Sequence, residues 1–174
     1  MNIFVVNSNP VLAAKELCDK HVVKMIVEGC QMLSTNHRIC GSHVAHAPLN
    51  LYKQSFANHP CTLWARMSYE NYMWLAEHTH ALCLEYTERY GKTHSCQPMA
   101  VWFVANTAVH HTSTTNELTP FAQAMPDQYR CEDAVVAYRK YYLGEKARFA
   151  KWKNVNPPSW FIQKNPMLGL ETSV

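Results

Sequence analysis

The chain has 174 residues, a formal net charge of +3, 48% hydrophobic residues and seven cysteines. That length suits one domain, 1–174, with a core that needs no disulfide staples, and an odd cysteine count without a CxxC pair or a signal peptide predicts a reducing, cytoplasmic setting. The longest apolar runs are far too short to span a bilayer, so no membrane partner is expected, and +3 is too modest to imply nucleic acid by itself.

Residues 1–6, MNIFVV, are β-prone and predict a short extended segment lying close to the first helix. Asn7, Ser8 and Asn9 supply cap candidates and Pro10 fits a first turn, so the pattern predicts one helix over 10–38. On a helical wheel Lys20, His21, Lys24, Glu28, Gln31 and Thr35 share an arc of about 100°. Leu12, Val22, Val23, Ile26, Cys30 and Leu33 form the opposite, apolar stripe, and Asp19 falls in the middle of it. A carboxylate there needs a partner, either backbone amides or an arginine. Lys24 and Glu28 are one turn apart, and as a solvated pair they would add only about 0.3–0.5 kcal/mol. The polar stripe is therefore either a plain solvent face or a functional one. Gly29 inside the helix requires something packed closely against that turn.

Residues 39–58 read as a connecting loop, with a short apolar stretch at 51–56. A second helical unit starts at Asn58–Pro60, with a bend expected near Ser68, and ends at Gly91 in a left-handed stop. A third, short helix is predicted over 98–109, inside a long excursion, 97–131, that contains Pro120 and Pro126. Residues 132–152 predict a fourth helix with Gly144 as its weak point, followed by an extended NPPSWFIQK tail. The fold class is all-α, a compact bundle of about four main helices with long connecting loops.

Charge is unevenly spread. Residues 138–154 hold Arg139, Lys140, Lys146, Arg148, Lys151 and Lys153 against Glu145 alone, so this segment is +5 and the rest of the chain sums to −2. Two readings stay open. The interleaved Tyr138, Tyr142, Phe149 and Trp152 are core beside a solvated basic face, or the cations hold phosphates while Trp160 or Phe161 stacks on an unpaired base. Cys40, His43 and His46 have metal-ligand types, but their spacing matches no zinc pattern, and no metal or cofactor is expected. Cys18 and Cys30 read as core thiols rather than nucleophiles.

Asp19-Lys20-His21 is followed by Glu28 seven residues after the histidine, a His-led helix runs from His59 to Arg89-Tyr90-Gly91, and the tail carries Pro158-Ser159-Trp160-Phe161. In that order these elements resemble the bacteriophage endonuclease V-like pyrimidine-dimer DNA glycosylases, over residues 1–38, 59–91 and 132–162. The resemblance implies a helical protein that holds DNA and extrudes a damaged base. It also implies an N-terminal amine that attacks the sugar C1′ to form a Schiff base, with Glu28 as the general acid/base. Lys20, His21, Lys24 and Gln31 would line the sugar–phosphate site, with Arg38 extending it. In the family the initiator Met is removed to expose a small residue, whereas this chain reads Met1-Asn2. Three routes follow: the Met1 amine substitutes for Asn2, Glu28 activates a water, or the scaffold serves another nucleotide reaction. The expected function is DNA N-glycosylase. Its rivals are an enzyme on free nucleotides and a non-catalytic DNA-binding or host-interaction protein.

Overall fold

A computed structural model describes residues 1–41, 44–47, 50–108 and 116–163. The fold is all-α, with seven α-helices and no strand among the described residues: α1 Pro10–Glu16, α2 Asp19–Cys40, α3 Pro60–Ala65, α4 Tyr69–Tyr90, α5 Gln97–Ala105, α6 Ala134–Tyr141 and α7 Ser159–Ile162. No described helix is long and apolar enough to cross a membrane.

The expected single helix over 10–38 is two helices. Asn9 caps α1 by accepting the amides of Val11 and Leu12, as the local pattern demands. The break at Leu17–Cys18 is made by distant groups. Arg89, at the end of α4, donates to the carbonyls of Lys15 and Leu17 at 2.9 Å each, and the Trp152 indole donates to that of Glu16 at 3.2 Å. Cys18 gives its amide to the Tyr142 hydroxyl at 2.8 Å, and Asp19 gives its own to the Lys151 carbonyl at 2.8 Å. These contacts take over the unsatisfied groups at a helix end. The break also ends the helical phase, which is why Leu12, placed on the apolar face by the wheel, is exposed. Asp19 finds both kinds of partner foreseen for it, Arg89 at 3.0 Å and the Lys153 amide at 3.0 Å.

The helix α4 is the central element, packed by α1, α2, α3 and α5. A Cβ on Gly29 would collide with Thr79 Oγ1, so the glycine lets α2 and α4 approach closely. The bend expected at Ser68 is a full break, with Ser68 capping α4 through the Asn71 amide. Gly91 closes α4 at φ 63°, where a glycine is favoured.

The fourth helix is shorter than 132–152. After α6 the chain makes a π turn over Tyr142–Lys146 and a 3-10 turn over Ala147–Phe149. Gly144 lies under the Tyr129 ring, whose hydroxyl donates to Glu145 at 2.9 Å, and this contact holds the distorted turn. The tail closes with the short helix α7 rather than remaining extended. Residues 3–6 carry no regular secondary structure and turn at Phe4, where the Val6 amide donates to the Phe4 carbonyl at 2.7 Å; they are buried and belong to the same hydrophobic cluster as the helices.

Candidate active site

The N-terminal segment runs directly to Glu28 on α2. Asn2 folds its side chain back, with Oδ1 accepting the amides of Ile3 and Phe4 at 2.8 and 3.0 Å and Nδ2 donating to the Ala124 carbonyl at 2.7 Å. So held, the Asn2 backbone N–H donates to Glu28 Oε2 at 3.0 Å, and the Met1 ammonium lies 3.8 Å from the same oxygen. The Met1 side chain is 2% exposed and that of Glu28 13%. Lys24 reaches Glu28 Oε1 at 3.3 Å from a largely solvated position. A carboxylate, a chain-terminal nitrogen and a lysine thus converge in a partly dry site, where each charge acts more strongly than in water.

Phe4 adopts φ 36°, an uncommon value for a non-glycine residue, and it throws the ring across α2. The ring stacks on His21 at 4.2 Å and on Tyr141 at 6.1 Å. His21 is therefore buried, 6% exposed, although the wheel placed it on the polar stripe. Tyr142 joins it to the helix break: the Cys18 amide donates to the Tyr142 hydroxyl, and that hydroxyl shares a hydrogen bond of 2.8 Å with His21 Nδ1. Burial, and then the charges of Lys146 and Lys24, lower its pKa to about 3, so the ring is neutral at pH 7. His21, expected to line the sugar–phosphate site, is thus a neutral ring covered by Phe4. It supports the site from within the aromatic layer.

The other expected residues divide. Lys20 lies over the Phe149 ring at 5.0 Å, Lys146 over Tyr141 at 4.5 Å and Arg148 over Phe149 at 5.8 Å. With Lys24 they set cations about the aromatic layer that covers His21. Gln31 is half-buried one turn on from Glu28, and Thr35 turns inward to hold both backbone groups of Ser55. Arg38 stands about 15 Å from Glu28 along α2. It donates to the carbonyls of Tyr52 and Leu51, so it anchors the 51–52 segment.

Arg139 donates to the Val6 carbonyl at 2.7 Å and pairs with Glu16 at 3.7 Å, so it clamps the N-terminal segment to α1. Lys140 is exposed, and Lys151 and Lys153 are exposed beside the head of α2. Phe161 is fully buried against Trp152, and Trp160 gives its indole N–H to Glu16 at 2.7 Å while Arg139 covers its ring. Phe161 belongs to the core over α1, whereas Trp160 is half-buried. The Cys40, His43 and His46 candidate lies outside the described residues, since neither His43 nor the His46 side chain is described.

Sequence reasoning missed the reach of 121–124 to the N-terminal segment and the role of His59. The sequence carried one signal for the second, a histidine directly before a helix-starting proline. His59 caps α3 by accepting the Cys61 amide on Nδ1 at 3.2 Å. Its pKa is lowered by burial and then by the N-terminal ammonium, with Glu28 pulling the other way.

A family model described as pyrimidine dimer DNA glycosylase matches residues 1–98, more than half of the chain. The chain belongs to that family. No curated protein and no solved structure matches it. In this family member the matched region carries Glu28, His21, His59 and Arg89, whereas Lys146, Arg148 and Ala124 come from the unmatched part.

Proposed function

We propose that this chain is a DNA N-glycosylase that removes a damaged base, a pyrimidine dimer being the substrate class the family suggests, and that it does so through an amine at the head of the chain. The observation that carries this reading is the convergence of the Asn2 nitrogen, the Met1 ammonium and Lys24 on the Glu28 carboxylate. A neutral α-amine is a nucleophile able to attack C1′. The carboxylate faces the positive charge that develops on the sugar and takes the proton that the attacking amine gives up. Lys20, Lys24, Lys146 and Arg148 hold the flanking phosphates and account for affinity. Met1 carries the amine if it is retained, and Asn2 carries it if Met1 is removed.

The test uses full-length protein with a duplex containing a cyclobutane pyrimidine dimer and with an abasic-site duplex. Cleavage of one glycosidic bond of the dimer, read as free base after photoreversal because the cyclobutane ring keeps the cut base joined to its neighbour, is expected to fall about 10²- to 10⁴-fold in Glu28→Gln, and borohydride is expected to trap the wild type on the abasic duplex, with the adduct mapping to residue 1 or 2. Full glycosidic cleavage by a folded Glu28→Gln would exclude its role, and cleavage without an adduct would favour activated water. Turnover of free nucleotides with little salt dependence would instead favour a nucleotide-processing enzyme on this scaffold.

A further inference from the structure

The segment between α2 and α3 holds in solvent an aromatic ring that the mechanism above leaves unused. Phe56 is 66% exposed, more than any other large hydrophobic side chain among the described residues. Its backbone is at φ 50°, a conformation that bulky side chains rarely adopt and that persists only where the surroundings impose it. Here they impose it from both sides. Thr35 Oγ1 donates to the Ser55 carbonyl at 3.0 Å and accepts the Ser55 amide at 3.1 Å. The His59 amide donates to the Phe56 carbonyl at 3.0 Å, and Arg66 donates to the Ala57 carbonyl at 2.7 Å. The fold thus carries an apolar ring outward on a fixed, strained backbone, and no packing of that ring offsets the strain.

The ring stands on the Glu28 side of α2. Thr35 follows Glu28 by seven residues, so the two side chains share one helix face about 10 Å apart, with the half-buried Gln31 between them. Ser55 lies on Thr35, and Phe56 is the next residue. Five residues further on, Cys61 lies against the backbone of Ile3, the neighbour of the Asn2 that binds Glu28. Residues 55–61 therefore border the site from α2 to the N-terminal segment. Around Phe56 the same segment exposes Lys53, Gln54 and Asn58. A cation for phosphate and two amides for base edges, set about an apolar ring, form a surface suited to nucleic acid.

We infer that Phe56 is a wedge that enters the base stack of the duplex while the damaged base is extruded towards Glu28. This assignment rests on the glycosylase reading. Extrusion breaks the stacking of a base on its neighbours and opens a gap in the duplex. An apolar ring in that gap restores stacking to the neighbouring base and opposes the return of the extruded one. Because the backbone at Phe56 is fixed before DNA arrives, insertion orders little that was free.

The test uses full-length Phe56→Ala, Phe56→Leu and Phe56→Gly. Glycosidic cleavage of the dimer duplex is expected to fall about 10- to 100-fold in kcat/KM for Phe56→Ala and to be largely recovered in Phe56→Leu, which keeps an apolar wedge. Tm is expected to be unchanged in Phe56→Ala and unchanged or raised in Phe56→Gly, because glycine accepts φ 50° without strain. A duplex with 2-aminopurine beside a stable abasic-site analogue reads the stack with no bond broken: wild type is expected to shift its fluorescence, and Phe56→Ala to bind without that shift. Wild-type cleavage by Phe56→Ala would overturn the assignment, and so would a lowered Tm in Phe56→Gly, by making the ring part of the fold. The same fluorescence shift in Phe56→Ala as in wild type would also overturn it, and would leave the glycosylase reading standing wherever wild type cleaves the dimer. A wild type that cleaves no dimer but gives the Phe56-dependent shift would overturn the glycosylase reading and uphold the wedge.

Discussion

At the scale of single residues, the site is built by side chains that serve two partners at once. Asn2 turns the chain with Oδ1 and ties it to Ala124 with Nδ2, which directs its backbone nitrogen to Glu28. Tyr142 accepts the Cys18 amide and hydrogen-bonds His21 Nδ1, so one hydroxyl both fixes the α1–α2 break and holds the His21 ring. Replacing Tyr142 with Phe would leave a buried N–H and a buried ring nitrogen without partners. The expected loss is about 2–4 kcal/mol of stability, read by urea denaturation. A loss below about 0.5 kcal/mol would mean that neither group depends on the hydroxyl.

At the scale of helices, close approach outweighs intrinsic propensity. In an isolated helix Gly29→Ala would stabilise by about 1 kcal/mol. Here the added methyl meets Thr79, whose hydroxyl is already committed to the Leu75 carbonyl at 2.7 Å, so α2 and α4 must separate. Gly29→Ala is therefore expected to destabilise by about 1–3 kcal/mol, and adding Thr79→Ala should recover much of that loss. A stabilised single variant would show that the helices slide apart freely. Arg89 acts at the same scale. Fully buried, it pairs with Glu85 at 2.9 Å and Asp19 at 3.0 Å and reaches the carbonyls at the end of α1, so the end of α4 decides where α1 stops and α2 begins.

At the scale of the whole molecule, acid stability is governed by histidines buried in the neutral form. His21 is lowered to about 3 and His78 to about 4, in both cases mainly by burial, and His78 donates Nδ1–H to the Pro10 carbonyl while its Nε2 has no partner. Both folded-state values lie below the ordinary 6.5, so between about pH 6.5 and 3 the unfolded chain binds more protons than the folded one. Stability is thus full above about pH 6.5 and falls as pH drops. Each ring contributes a loss of about 2 kcal/mol from pH 7 to pH 5, so the pair should lower unfolding free energy by about 4 kcal/mol. Denaturation at the two pH values measures this, and the loss should shrink by half in a folded His78→Gln variant. Equal stability at both pH values would exclude neutral burial of these rings.

Much of the fold follows from local rules that the sequence alone expresses. The Asn9 cap with Pro10, the Gly91 stop, the amphipathic α2 and the need of Asp19 for a partner are each set by residues within a few positions of one another, where backbone geometry and periodicity leave a readable trace. The order of Asp19, His21 and Glu28 also pointed to the family before any packing was known. Tertiary structure decided the rest. The α1–α2 break depends on Arg89 and Tyr142, the burial of His21 on Phe4 and Tyr142, and the division of the basic segment into ring-covering, clamping and exposed residues on a π turn held by Tyr129. These partners are far apart in the chain, and hydrogen bonds between distant residues impose no spacing on either one. The Lys24–Glu28 pair was visible as a helical spacing, but the chain terminus that meets Glu28 is brought there only by the hold of Ala124 on Asn2.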